Sequence, residues 1–414
     1  MHTTLDLKAD PEGAGFDAGR LLRIDEHLRT RYIEPGKIAG CQVVVSRAGR
    51  LAHATTLGLA DREREVPVGD DTIWRLYSMT KPVTGVALLT LYERGLFQLD
   101  DPVHRFLPEF RGLQVRERDE DGTKRLVDPV RPMSMRDAMM HMSGLGWGPR
   151  GARLDLTTMG ERPPSLRLGG GGTLQTLVER LAGEPLRYHP GTQWLYSWST
   201  DVCARLVEVL SGQRFDEYLR TTIFEPLGMA DAGFSVPDAE IGRFAALYRR
   251  DSRKQLVLSD DPLTSEYRKH PAFLSGGGGL VSTAADYLRF CHMLVGGGEL
   301  DGVRILGRKT VDLMRANHLP GAGDLRQFAL PGGYGEVGFE GMGFGLTVAV
   351  SNGPVATQGV GSTGEYMWGG FASTAFWIDP IEDVAVVFMT QLVPSGTFDF
   401  RGQLKSLVYG AMVD

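Results

Sequence analysis

Ser78-Met79-Thr80-Lys81 opens the apolar run Pro82-Val83-Thr84-Gly85-Val86-Ala87-Leu88-Leu89-Thr90-Leu91, and the reading of the whole chain turns on this stretch. It predicts a helix that starts near Ser78, runs to about Arg94 and stops at Gly95, the residue type that tolerates the turn after a helix. Residues three apart share a helical face, so the Lys81 amine comes to lie beside the Ser78 hydroxyl. The first turn also offers unpaired N–H groups and the positive end of the helix dipole, where an oxyanion would form. A nucleophilic serine with a lysine base needs this arrangement. A capping serine followed by a solvated lysine would leave the same pattern. The S-x-x-K spacing, although it occurs once in the chain, does not decide alone.

Two more stretches bear on chemistry. Tyr196-Ser197-Trp198 follows Pro190-Gly191-Thr192 and leads into an apolar segment. A tyrosine beside a buried lysine can shuttle a proton between nucleophile and leaving group. A core aromatic with a backbone partner for its hydroxyl is the plainer alternative. Trp368-Gly369-Gly370-Phe371 opens a strand-like run. Its glycines admit a ligand close to the backbone, where the Phe371 N–H could meet a substrate oxygen, and a packed β-bulge is the competing reading.

In their order and separation the three stretches resemble serine β-lactamases and penicillin-binding proteins, and among these the family VIII carboxylesterases and related acyltransferases. Ser78 to Lys81 matches the first box and Tyr196 the tyrosine of the Y-x-N box, while Trp368-Gly369-Gly370 stands where K-T-G would. His141-Met142-Ser143-Gly144-Leu145, residues 276–285 and Ile378-Asp379-Pro380 extend the likeness over roughly 15–410.

The resemblance implies an α/β fold, an antiparallel sheet flanked by helices plus a mainly helical lobe. The α/β lobe would comprise 1–100 with 268–414 and carry the nucleophile and the W-G-G strand. The helical lobe, 101–267, would carry Tyr196, and the site would lie at the seam. The resemblance also implies catalytic roles for Ser78, Lys81 and Tyr196 and an oxyanion hole from the N–H groups of Ser78 and Phe371. Substrate contacts would come from Trp368, Gly369, Gly370 and Trp198. Two departures matter: Trp198 replaces the Asn of Y-x-N, and Trp368 replaces the lysine of K-T-G. Losing a charge-assisted hydrogen bond costs about 1.5–3 kcal/mol, which favours neutral esters over carboxylate-bearing β-lactams. The expected activity is hydrolysis of short- to medium-chain carboxylic esters, with weak β-lactam hydrolysis at most. A β-lactamase or D-Ala peptidase, an acyltransferase, and a non-catalytic penicillin sensor or scaffold remain the alternatives.

The rest of the chain narrows the classes. Its 414 residues suffice for two lobes, and a net charge of −6 offers no footprint for nucleic acid or anionic lipid. Cys41, Cys203 and Cys291 are too few and too scattered for a disulfide framework or a zinc site, and read as buried thiols. The polar start MHTTLDLKADPEG is not a leader, and Gly85–Leu91 is too short to span a bilayer, so a soluble cytoplasmic protein is expected. No metal or cofactor is expected; the partner is a small-molecule ester, and oligomeric state is left open. Gly333-x-Gly335-x-x-Gly338 precedes a strand instead of opening a helix, which argues against a dinucleotide site, and no serine sits in G-x-S-x-G. His141 reads as a structural hydrogen-bonder and Asp201 as a helix cap.

Helices are expected at Ala18–Tyr32 (capped by Asp17), Met135–His141, Leu174–Ala182, Asp201–Ser211, Phe215–Thr222 and Phe400–Met412. Strands are expected at Cys41–Ser46 and Leu51–Thr56, joined by the Arg47–Arg50 hairpin, and at Gly345–Val350, Ala372–Ile378 and Val384–Thr390. The charged run Arg116–Arg125 and the run Gly169–Gly172 read as surface loops.

Overall fold

The computed structural model describes residues 9–118, 121–146, 172–331 and 333–413. The predicted hairpin is present as β1 (Gly40–Arg47) and β2 (Arg50–Asp61). Its two-residue turn places Ala48 at φ 50° and Gly49 at φ 72°, the positive pair that matches the twist of paired strands. A short β3 (Val66–Pro67) follows, and five strands come from the C-terminal third. They are β4 (Met342–Phe344), β5 (Ala349–Ser351), β6 (Tyr366–Gly369), β7 (Ala375–Asp379) and β8 (Val384–Thr390). All are antiparallel, in the order β4-β5-β6-β7-β8-β1-β2-β3, so the two ends of the chain meet where β1 pairs with β8, Val44 opposite Val387.

β7 and β8 are buried along their whole length, which is why they read as apolar runs without alternation. Helices cover both faces. On one, α7 (Phe400–Tyr409) sets Phe400 against Phe388 of β8 at 5.0 Å between ring centroids. On the other, α6 (Ala284–Val295) sets Tyr287 against Phe376 of β7 at 5.3 Å. Phe376 pairs with Val387, the neighbour of Phe388, so the two contacts fall on opposite faces. Near the N-terminus α1 (Ala18–Leu28) has Asp17 as its cap, accepting from the Arg20 N–H, and packs beside α7. The middle of the chain supplies α3 (Met135–Met139), α4 (Leu174–Ala182) and α5 (Ser199–Ser211). Between the layers runs α2 (Thr80–Glu93), buried at every residue from Thr80 to Leu91 and packed on α5; a helix apolar all round belongs in such a place.

Several expectations need correction. Arg116–Arg125 is not a loop: Val115–Arg118 pairs with Lys124–Val127, and charged side chains suit a two-stranded ribbon exposed to water. Gly345–Val350 is not one strand, because Thr347 adopts φ 73° and the chain reverses between β4 and β5. The strand expected from Ala372 starts at Ala375, after a tight turn. Leu247–Arg250 and Leu256–Asp260 form a further strand pair in the predominantly helical middle, and Leu392–Val393 joins it in parallel. The α-helices at either end are shorter than expected, with a π turn, Arg29–Ile33, completing the first. The Gly169–Gly172 run lies outside the described residues except at Gly172.

Within α2 a Cβ on Gly85 would stand 2.1 Å from Thr347 Oγ1, so the glycine lets the turn before β5 rest directly on the helix. Gly85→Ala is therefore expected to destabilise the protein by about 1–3 kcal/mol through overpacking. Urea unfolding measures this; an unchanged midpoint would show that the Thr347 turn yields freely.

Candidate active site

The chain enters α2 through Tyr77 at φ 47°, a left-handed conformation uncommon for a residue with a Cβ. Phe371 meets the Tyr77 ring edge-on at 5.9 Å. Tyr77 to Met79 form a 3-10 turn, and Ser78 sits on it immediately before the α-helix. Lys81 Nζ lies 3.2 Å from Ser78 Oγ and donates to the Gly277 carbonyl oxygen at 2.6 Å. Tyr196 OH donates to Ser78 Oγ at 2.6 Å, and Lys81 Nζ stands 4.4 Å from the Tyr196 ring centroid. Lys81 and Tyr196 are each 1% exposed and Ser78 is 8% exposed. Two residues of one helical turn and a third 118 positions further along the chain thus form one buried polar cluster.

Tyr196 is held by its backbone and its ring. Leu195 N–H donates to the His141 carbonyl oxygen at 2.9 Å and Trp194 N–H to that of Phe328 at 2.7 Å. Rings of His141, Trp368 and Tyr334 surround it at 4.9, 5.5 and 5.9 Å between centroids. Burial, reinforced by the charge of Glu336, pushes the Tyr196 hydroxyl well above the usual phenol range, and the bond to Ser78 opposes this only in part. Tyr196 therefore keeps its proton. The Trp368 indole N–H is near enough to favour the phenolate slightly, yet no acceptor meets it at full hydrogen-bonding geometry.

His141 serves the framework. Burial, and next the Lys81 charge, drive its imidazole well below the usual range, so it stays neutral. Its Nδ1 accepts from the Ser197 N–H at 3.3 Å, which leaves the proton on Nε2, 3.3 Å from Thr200 Oγ1. Asp201 is not the cap of α5: Trp198 occupies that position and makes no side-chain cap. Asp201 Oδ1 instead accepts from Ser275 Oγ at 2.6 Å and the Gly277 N–H at 3.1 Å, fixing the loop whose carbonyl receives Lys81. A Cβ at Gly277 would lie 2.5 Å from Asp201 Oδ2, and one at Gly276 would lie 2.5 Å from the Ala204 Cβ. The glycine run permits this close approach to α5.

Trp368 and Gly369 end β6, and Gly370 to Thr374 form the turn into β7. A Cβ at Gly370 would stand 2.2 Å from the Leu76 carbonyl oxygen, to which Thr374 Oγ1 also donates at 3.3 Å. This clamp brings Phe371 against the ring of Tyr77, the residue before Ser78. The Trp368 ring, expected among the substrate contacts, is 0% exposed and packs on Tyr196 and Phe344. Trp198 is likewise buried, with its ring edge-on to Phe273.

Sequence reasoning missed Glu336 and Arg401. Arg401 donates to the carbonyl oxygens of Glu336 at 2.8 Å and Trp368 at 3.2 Å, and a Cβ on Gly369 would strike its Nη2 at 2.6 Å. Glu336 sits inside the G-x-G-x-x-G pattern that was set aside, and nothing local marks Arg401. That pattern opens no helix. Among the described residues no cluster of three or more His, Cys, Asp or Glu could hold a metal ion, and no helix is long and apolar enough to cross a membrane.

Comparison with known proteins bears on the family and the fold. Esterase EstB of Burkholderia gladioli is 30% identical over 411 residues, covering 94% of each chain. The structure of EstCE1, described as a hydrolase with promiscuous acyltransferase activity, superposes with a TM-score of 0.73 at 25% identity, covering 96% of this chain and 99% of that one. Unliganded simvastatin synthase from Aspergillus terreus shares the fold, with a TM-score of 0.75 at 24% identity over 94% and 98% of the two chains. The Beta-lactamase family profile matches residues 26–408, and the chain belongs to that family.

Proposed function

We propose that the chain is a family VIII-type serine carboxylesterase that hydrolyses neutral esters of short to medium chain length through an acyl-enzyme on Ser78. One observation carries the reading: Ser78 Oγ meets both Lys81 Nζ and Tyr196 OH in a buried cluster. Because Tyr196 keeps its proton, the Lys81 amine is the base. It takes the Ser78 proton as Oγ attacks the ester carbonyl carbon. The N–H groups of Ser78 and Phe371 receive the oxyanion. As the bond to the alkoxy oxygen breaks, Tyr196 protonates the leaving alcohol and regains a proton from the Lys81 ammonium. Water then attacks the acyl-enzyme, and the same groups work in reverse. In this reading the cleft lies between the α/β lobe (1–100 with 268–414) and the helical lobe (101–267).

Neutral esters are favoured because no cation stands at position 368, and Arg401 gives two of its donors to backbone carbonyls. A β-lactam carboxylate would be desolvated with little in return. The likeness to EstCE1 and to simvastatin synthase favours a second reading, acyl transfer to an alcohol, which a product analysis with added alcohol distinguishes from hydrolysis. Three buried free thiols, Cys41, Cys203 and Cys291, suit the reducing cytoplasm.

Ser78→Ala is expected to lower turnover of p-nitrophenyl esters by about four orders of magnitude in a folded protein, and a phosphonate inhibitor should label Ser78 alone. Lys81→Ala and Tyr196→Phe should each lose about 10²–10⁴ in kcat. The double variant should lose far less than the product of the two, since they form one proton-transfer unit. Full multiplicativity would refute the shared unit.

Wild-type enzyme should turn over p-nitrophenyl butyrate faster than nitrocefin, and the reverse order would make it a β-lactamase. Because the Trp368 ring is buried, Trp368→Lys would place an ammonium between Tyr196 and Phe344 and open a gap. The variant should lose about 3–5 kcal/mol of stability and much of its esterase activity without gaining β-lactam turnover. Improved nitrocefin hydrolysis would show that the position does face the substrate.

A further inference from the structure

Tyr334, Glu336, Ser395 and Arg401 line a cavity of about 330 Å³ at the end of β6, bounded on another side by Thr374 of the oxyanion-hole turn. Tyr334 belongs at once to this cavity and to the ring cage of Tyr196. Its hydroxyl is hydrogen-bonded to Ser395 Oγ, and both hydroxyls lie beside the Glu336 carboxylate. Although Glu336 lines the cavity, its Oε1 is shielded from solvent and has no hydrogen-bond partner. A buried carboxylate oxygen left unsatisfied is costly, and such a group calls for a reason beyond packing. The reason lies in its neighbours: its charge acts on Tyr196 and on Lys81, the two residues that exchange the reaction's proton.

We propose that Glu336 is a positioning residue for the acyl-transfer reaction, its carboxylate holding the shared proton on the Lys81–Tyr196 pair from the cavity behind β6. The inference rests on the Ser78–Lys81–Tyr196 reading above. Burial raises the Glu336 carboxyl above the usual range, and Tyr334, Ser395, Lys81 and Arg401 oppose that rise. The groups that face it are therefore Tyr334 and Ser395, Lys81 on α2, Tyr196 before α5, and Arg401 on α7, itself flanked by Asp399 and Glu365. Removing a negative charge beside a proton-holding pair makes that pair give up its proton more easily. The enzyme then reaches its base form at lower pH.

The test is the pH profile of kcat/KM for p-nitrophenyl butyrate, with the phosphonate labelling rate of Ser78 as a second readout. In Glu336→Gln and in Glu336→Ala the half-maximal point of the acid limb should fall by about one pH unit, a tenfold change in proton affinity. Glu336→Asp, which retains the charge, should keep the wild-type limb. Two charge-removing variants guard against one that fails to fold. A merely structural Glu336 would lower activity or stability and leave the limb in place. An unmoved or rising half-maximal point in a folded charge-removed variant overturns the proposal. If Ser78→Ala retains activity, the underlying reading falls instead, so the two failures are distinguishable.

Discussion

A lysine amine buried inside an otherwise apolar helix must find an acceptor for every proton it carries, or it will not stay there. Lys81 answers that demand in part with Ser78 Oγ one turn back and the Gly277 carbonyl across the interface. Much of the surrounding chain follows from this. Gly277 reaches Lys81 because Gly276 and Gly277 lack the Cβ atoms that would collide with Ala204 and Asp201. Asp201 is drawn away from capping α5 to hold that loop. Ser143, Ser197 and Ser199, linked by hydroxyl contacts of 2.6 and 2.9 Å, brace the segment on which Tyr196 is presented. The site is a polar island whose satisfaction is distributed over several elements, which is how buried networks remain ordered.

What could be read from residues alone divides along the range of the interactions. S-x-x-K lies within one helical turn, so its geometry is local and was legible, as was the Ala48-Gly49 hairpin, where two positive φ values impose a glycine and a tight turn. The strands of the core were legible because burial on both faces leaves unbroken apolar runs. Asp201 misled because Asp near a helix start is ordinarily a cap, and only the folded chain brings Ser275 and Gly277 to it. Trp368 misled in a similar way. A tryptophan where the K-T-G lysine would stand suggests a substrate contact, but β6 turns its ring inward onto Tyr196 and Phe344. Glu336 and Arg401 carried no local signal, since they meet each other across 65 positions of the chain and Arg401 meets Trp368 across 33.

The exchange of a lysine for Trp368 has an electrostatic consequence that runs through the whole site. With an indole at the end of β6, no cation faces the cleft from that strand. Arg401 lies behind the strand instead, bound to the Trp368 and Glu336 carbonyl oxygens, and burial makes its charge harder to keep. The ionisable group that remains next to Ser78 is Lys81 itself. On the proposed reaction, a site arranged in this way would stabilise an oxyanion that develops during reaction more readily than a carboxylate already present in the substrate, because backbone N–H groups and a proton-sharing pair would respond to the charge formed on the carbonyl oxygen. On that reaction, selectivity for neutral esters would need no steric gate and would arise from where the polypeptide keeps its fixed charges.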